Sequence, residues 1–95
     1  MKESMIEKHL VERVKTLGGE IRKVKWIGRR GAPDRVAMLP DVCGPLWVEL
    51  KAAGKNCRPH QIREHERMKR MGQRVFVINS LEGVDDLLFS IQNRG

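Results

Sequence analysis

The sequence predicts an α/β fold, a central mixed sheet flanked by helices in the order α-β-β-β-α-β-α. Three observations carry this. Apolar residues recur at helical spacing near both ends of the chain, at Ile6, Leu10, Val14 and Leu17 and again at Val84, Leu87, Leu88 and Ile91. Between them lie short stretches with the period of a strand, of which Leu46 to Lys51 alternates most clearly. A further helical stretch stands between the third strand and the fourth, which implies a crossover and hence a mixed sheet with helices packed on it.

Taken in order, the first helix stops at Gly18-Gly19, a glycine C-cap. Glu20 to Ile27 reads as a strand rich in Lys and Arg, Gly28 to Pro33 as a loop, and Arg35 to Leu39 as a second strand. Pro40 to Pro45 is turn chemistry. In the third strand Leu46, Val48 and Leu50 share one face, which leaves Trp47, Glu49 and Lys51 to share the other. Ala52 to Cys57 is a polar loop, and Pro59 opens a helix that ends at Gly72. Val75 to Ile78 is a continuous apolar run, as expected of a strand buried on both faces. Ser80 then caps the last helix, with Asp85 and Asp86 in its early turns.

Ninety-five residues make one domain, expected to span 1–95. A hydrophobic fraction of 40% with 33% charged residues excludes disordered and fibrous classes. Nineteen Lys and Arg against twelve Asp and Glu leave a net charge of +7, which points to a polyanionic partner. No apolar run is long enough for a membrane helix and the charged N-terminus is no secretory signal, so no membrane partner and a cytoplasmic location are expected. Cys43 and Cys57 stand apart and read as reduced packing residues.

The chemistry concentrates on two acids. Asp34 stands where the Gly/Pro loop enters a strand, and Glu49 lies fifteen positions later near the end of the next strand. If those strands are neighbours, both acids meet at one sheet end. Two carboxylates with a backbone carbonyl form a hard oxygen site suited to Mg²⁺ or Mn²⁺. The period of two puts Lys51 on the face of Glu49, where an ammonium can orient or activate a water, and leaves Leu50 to offer only its carbonyl.

Gly31-Ala32-Pro33-Asp34, then Glu49-Leu50-Lys51, then Gln61 in the next helix, preceded by Glu7 in the first, resembles the PD-(D/E)xK nuclease superfamily. Within it the chain is most similar to the virus-type replication-repair nuclease domain, VRR-NUC, in its stand-alone form. The resemblance implies a restriction-endonuclease-like core, with Asp34, Glu49 and the Leu50 carbonyl as metal ligands and Lys51 serving the attacking water. It also implies that Glu7 approaches the site from the first helix and that Gln61 holds the site or the DNA backbone. Stand-alone members resemble Holliday-junction resolvases, which implies a homodimer cutting branched DNA in replication, recombination or repair.

Plainer readings stand beside these. Ser4-Met5-Ile6-Glu7 is also a capping box, and Glu7 lies at the border of the apolar stripe, so it can serve either role. Asp34 alone could be a turn residue after Pro33. A Glu49–Lys51 pair on an exposed face would contribute less than about 1 kcal/mol. His9 projects from the apolar stripe toward solvent, His65 reads as a semi-buried helix residue, and His60 is close enough to Gln61 to face DNA.

From Lys51 to Arg74 there are eight Lys and Arg against two Glu. Together with Arg29 and Arg30 in the loop before Asp34, this makes Arg29, Arg30, Lys55, Arg58 and Arg63 the candidate DNA contacts. Only four aromatics and no Tyr argue against base stacking on a single-strand platform. Trp26, Trp47, Met38 and Phe89 cannot all fit inside so small a core, which leaves area for a dimer contact. The sequence thus reads as an Mg²⁺- or Mn²⁺-dependent endodeoxyribonuclease. The alternatives are a non-catalytic DNA-binding module of the same fold, in which the two acids would repel phosphate, and a nuclease acting on RNA.

Overall fold

Helix α1 (Glu3–Thr16) buries Ile6, Leu10 and Val14 along one stripe. It closes as a Schellman motif. Gly18, at φ +82°, donates to the Lys15 carbonyl, and Gly19 donates to that of Val14, both at 2.9 Å. The structure is a computed structural model describing residues 1–93; Arg94 and Gly95 of the expected 1–95 domain lie outside the described residues. The capping box expected at Ser4 does not form. The N-cap is Lys2, so Ser4 is already helical and Glu7 turns instead to Arg35.

The sheet holds β1 (Glu20–Lys23), β2 (Arg35–Met38), β3 (Leu46–Leu50) and β4 (Arg74–Ile78), side by side in chain order. β1–β2 and β2–β3 are antiparallel, and β3–β4 is parallel across the helix α2 (Pro59–Arg70). The mixed sheet is as expected, but β1 stops four residues short of Ile27. Its last partner is Arg35, the first residue of β2, and the Gly28–Pro33 loop supplies no strand for residues 24–27 to pair with. Those residues are instead tied to the far side of the loop: Val24 N–H donates to the Asp34 carbonyl at 3.0 Å, and the Trp26 indole donates to that of Pro33 at 2.8 Å.

One face of the sheet carries Ala37, Leu46, Val48, Leu50 and Ile78 against α1 and the last helix, α3 (Leu81–Gln92), and this is the main core. Ser80 caps α3 through a 2.9 Å bond from Gly83 N–H, and Val84, Leu87, Leu88 and Ile91 are buried as their spacing predicts. His9 is not solvated. Its Nε2 lies 2.8 Å from Asp85 of α3, which also takes Arg13, so three side chains tie α1 to α3.

The opposite face carries Trp47, Glu49 and Val75, and α2 lies over it with Glu64, His65 and Met68 buried. β4 is an edge strand, not one buried on both faces: Val77 is 46% exposed. Cys43 is exposed in its turn and so is not a packing residue, while Cys57 is half-buried; both are free thiols. Trp26 and Trp47 pack on each other with ring centroids 5.4 Å apart, whereas Met38 and Phe89 are exposed. Among the described residues no helix is long and apolar enough to cross a membrane.

Because Ser80 satisfies an otherwise unpaired N–H and touches nothing near the acids, Ser80→Ala should lower unfolding stability by about 1 kcal/mol. Denaturant unfolding measures this, and any enzymatic activity should survive the change.

Candidate active site

The β2–β3 register builds the site. Arg35 faces Val48, so one step further along the ladder Asp34 lies opposite Glu49. The pleat then sends Arg35 toward α1 and both acids toward α2. Asp34 Oδ1 accepts the Leu50 N–H at 3.4 Å. In an extended strand the N–H and C=O of one residue point to the same edge, so the Leu50 carbonyl also faces β2. The residue opposite it is Pro33, which has no N–H to give.

Glu49 is only 5% exposed, so the face expected to be open to solvent is covered by α2. Burial, and then the Asp34 carboxylate, push its pKa up to about 7, against the pull of Lys51 and Arg35. Lys51 Nζ lies 3.8 Å from Glu49 Oε2. Gln61, in the first turn of α2, directs Nε2 to the same oxygen at 3.5 Å, while its Oε1 accepts the Arg58 N–H at 2.8 Å. Asp34, Glu49, Lys51 and Gln61 are thus brought together as the sequence predicted.

Glu7 reaches the site indirectly. Its Oε2 accepts from Arg35 Nε at 2.6 Å and pairs with Nη2, and Arg35 Nη1 lies 3.2 Å from Asp34 Oδ2. Arg35 therefore bridges Glu7 to Asp34. The α1 acid that bears on Glu49 is Glu3, one turn earlier, whose charge adds to the upward shift. Neither Arg35 nor Glu3 was singled out from sequence. A signal for Arg35 existed, since it shares the inward period of Ala37 and a buried guanidinium needs a carboxylate.

His65 lies on its helix as expected but is buried more deeply than its spacing suggests. It is 4% exposed, and its pKa is lowered chiefly by burial. Its Nε2 has no partner among the described residues and lies 3.9 Å from Glu49 Oε1. Spacing held the clue: Gln61 and His65 are four apart, on one face of α2. Gly31 seats the loop on that helix. Its φ is +85°, and a Cβ there would come within 2.7 Å of the His60 carbonyl, so no other residue fits without displacing α2 or the loop.

Around this centre the candidate DNA contacts are exposed: Arg29, Arg30, Lys55, Arg58 and Arg63. Arg29 also lies 3.6 Å from Glu64 of α2. His60, half-buried, has its pKa lowered by that burial and then by the charges of Arg30, Arg58, Arg63 and Lys51. Burial and then the Glu49 charge push up the Cys57 thiol, so Cys57 remains a neutral thiol.

The donor set fits a small hard cation. Two carboxylates repel each other at one sheet end, one of them buried enough to hold its proton near neutrality, and a carbonyl faces the same edge. Among the described residues, no group of three or more His, Cys, Asp and Glu gathers as a metal cluster, so the carbonyl and water must complete any such site.

The shift of Glu49 also fixes a pH dependence of folding. Its folded pKa of about 7 lies above the ordinary 4.5, so between those values the folded state holds the extra proton and stability falls as pH rises. Above pH 7 the full cost, up to about 3 kcal/mol, is present. In EDTA, Glu49→Gln should therefore be more stable than the parent above pH 7, with the difference vanishing below about pH 4.5. Denaturant unfolding across that range checks it, and a difference that does not vary with pH refutes it.

No protein-family model matches the sequence. A protein of Acyrthosiphon pisum secondary endosymbiont phage 1, provisionally named nuclease p44, is 44% identical over 81 residues, covering 84% of this chain and 85% of its own. A solved structure described as a VRR_NUC domain superposes with a TM-score of 0.83 at 41% identity, over 94% of this chain and 96% of that one. Identity at this level over most of both chains, with a matching sheet and helix order, is shared descent, and the chain belongs to the VRR-NUC family of nucleases.

Proposed function

We propose that this nuclease is a divalent-metal-dependent, structure-selective endonuclease that hydrolyses phosphodiester bonds in branched DNA such as Holliday junctions, in replication, recombination or repair. The observation that carries this is the meeting of Asp34 and Glu49 across β2–β3, with Lys51 and Gln61 at Glu49. Two acids at a phosphate-binding surface repel the ligand unless a cation intervenes, which disfavours a module that only binds DNA.

Asp34, Glu49 and the Leu50 carbonyl would hold Mg²⁺ or Mn²⁺. When bound, the ion supplies a Lewis acid for the phosphate and lowers the pKa of a water. Lys51, at 3.8 Å from Glu49, orients the attacking water and offsets charge building on the phosphate oxygens. Gln61 keeps Glu49 in place from α2, and the Glu7–Arg35 pair does the same for Asp34 from α1. A symmetric cut across a four-way junction needs two such sites on a two-fold axis, so the working form is a homodimer. The exposed Met38 and Phe89 offer apolar area for it.

Purified protein offered linear duplex, flap, splayed and four-way DNA with Mg²⁺, Mn²⁺ or EDTA should cut the branched substrates and need the cation. Paired nicks on opposing strands are expected of a dimer. Asp34→Ala and Glu49→Ala should lose cleavage and metal affinity together. Lys51→Ala should keep metal affinity in calorimetry while cleavage falls by about 10²–10⁴-fold. Binding without cleavage by the parent protein under every cation would leave the DNA-binding module as the reading.

Binding should weaken steeply with salt and depend little on sequence. Neutralising Arg30, Lys55, Arg58 or Arg63 should each flatten the slope of log affinity against log salt by roughly one unit. An unchanged slope puts the DNA on another face.

A further inference from the structure

Ile27 is 94% exposed, more than any other large apolar side chain among the described residues. A lone exposed aliphatic is ordinary on a protein surface, but the mounting of this one is not. The loop that carries it is braced on both sides. Val24 N–H and the Trp26 indole are bonded to the carbonyls of Asp34 and Pro33, Arg29 lies 3.6 Å from Glu64, and Gly31 is seated on His60 and Gln61. Within this frame Ile27 is held outward, next to the exposed cations Lys25, Arg29 and Arg30.

Ile27 lies three positions beyond Val24, whose amide is bonded to Asp34, so its backbone is within roughly 10 Å of that bond. A DNA strand advances about 3.4 Å per nucleotide, which makes this span about three nucleotides. An aliphatic side chain gains nothing from phosphate. Cations on either side bring a polyanion against it, and the apolar surface within its reach is then the face of a base.

We propose that Ile27 is an apolar wedge that enters a break in base stacking within about three nucleotides of the cut, and so sets the preference for branched over continuous duplex. The proposal rests on the nuclease reading above and adds the residue that selects the substrate. In an intact duplex the wedge must first unstack a base step. At a junction, a flap base or a nick that step is already open, so the same side chain favours the branched substrate and penalises the continuous one.

The test compares the parent with Ile27→Ser and the conservative Ile27→Met. Two quantities are read: the ratio of cleavage rates on four-way over continuous duplex, and 2-aminopurine fluorescence at successive positions around the branch, measured in EDTA to prevent cutting. The parent should brighten one position near the branch, Ile27→Ser should abolish this and lower the ratio at least tenfold, and Ile27→Met should retain most of both. Unchanged ratio and fluorescence in Ile27→Ser overturn the proposal. So does a fall in the ratio accompanied by loss of the dimer in light scattering, which would make Ile27 a contact between copies. If the parent cuts no DNA with any cation, the nuclease reading fails, and fluorescence on bound junction still decides the wedge.

Discussion

The register between β2 and β3 is the constraint on which the rest of the molecule depends. With Arg35 opposite Val48, the alternation of side chains sends Ala37, Leu46 and Val48 into the core and both acids to the other face. A slip of one residue would exchange the faces, burying a carboxylate under α1 and exposing Leu46 and Val48. Two things oppose that slip: the apolar side chains, which all reach the core in one register only, and Arg35, which finds Glu7 on α1 only when it points inward. The Glu7–Arg35 pair that braces Asp34 is therefore also part of what specifies the fold.

That arrangement places opposing demands on a small domain. Glu49 is held among apolar and like-charged neighbours, which disfavours its ionised form. Arg35 is buried too, but it meets carboxylates on both sides, so its burial is compensated by Glu7 and Asp34. Glu49, at the centre of the proposed reaction, has less: Lys51 at 3.8 Å and Gln61 at 3.5 Å offset its burial only in part. His65 adds to this: a neutral imidazole whose Nε2 lacks a partner faces the same carboxylate. Stability is spent where the fold gathers Glu49, Asp34 and the unpartnered His65 Nε2.

Much of this was legible in the sequence, for identifiable reasons. α3 could be read because a capping Ser and a four-residue apolar stripe are both local signals. The acids could be paired because strand alternation fixes faces without knowledge of packing. The end of β1 could not be read, since a strand lasts only as long as its neighbour, and β2 begins at Arg35. The burial of Glu49 was invisible, and that of His65 underestimated, because both depend on α2 lying across the sheet, which no local pattern encodes. His9 was misread for the same reason: its partner Asp85 lies 76 positions away.

Gly31 has a consequence for how such a protein can change over generations. Between Trp26 and Asp34 it divides the loop into two unequal parts. On one side Ile27 and Arg30 face solvent and can be exchanged at little cost to the fold. On the other, Pro33 and Asp34 are fixed by the backbone bonds to Trp26 and Val24 and by the seat of Gly31 on α2. Under the proposed reading, drift in the first part would alter which nucleic acid is met, whereas drift at Asp34 would remove the acid. On that reading, a lineage carrying this loop would diversify its targets by point mutation while its reaction centre stayed the same.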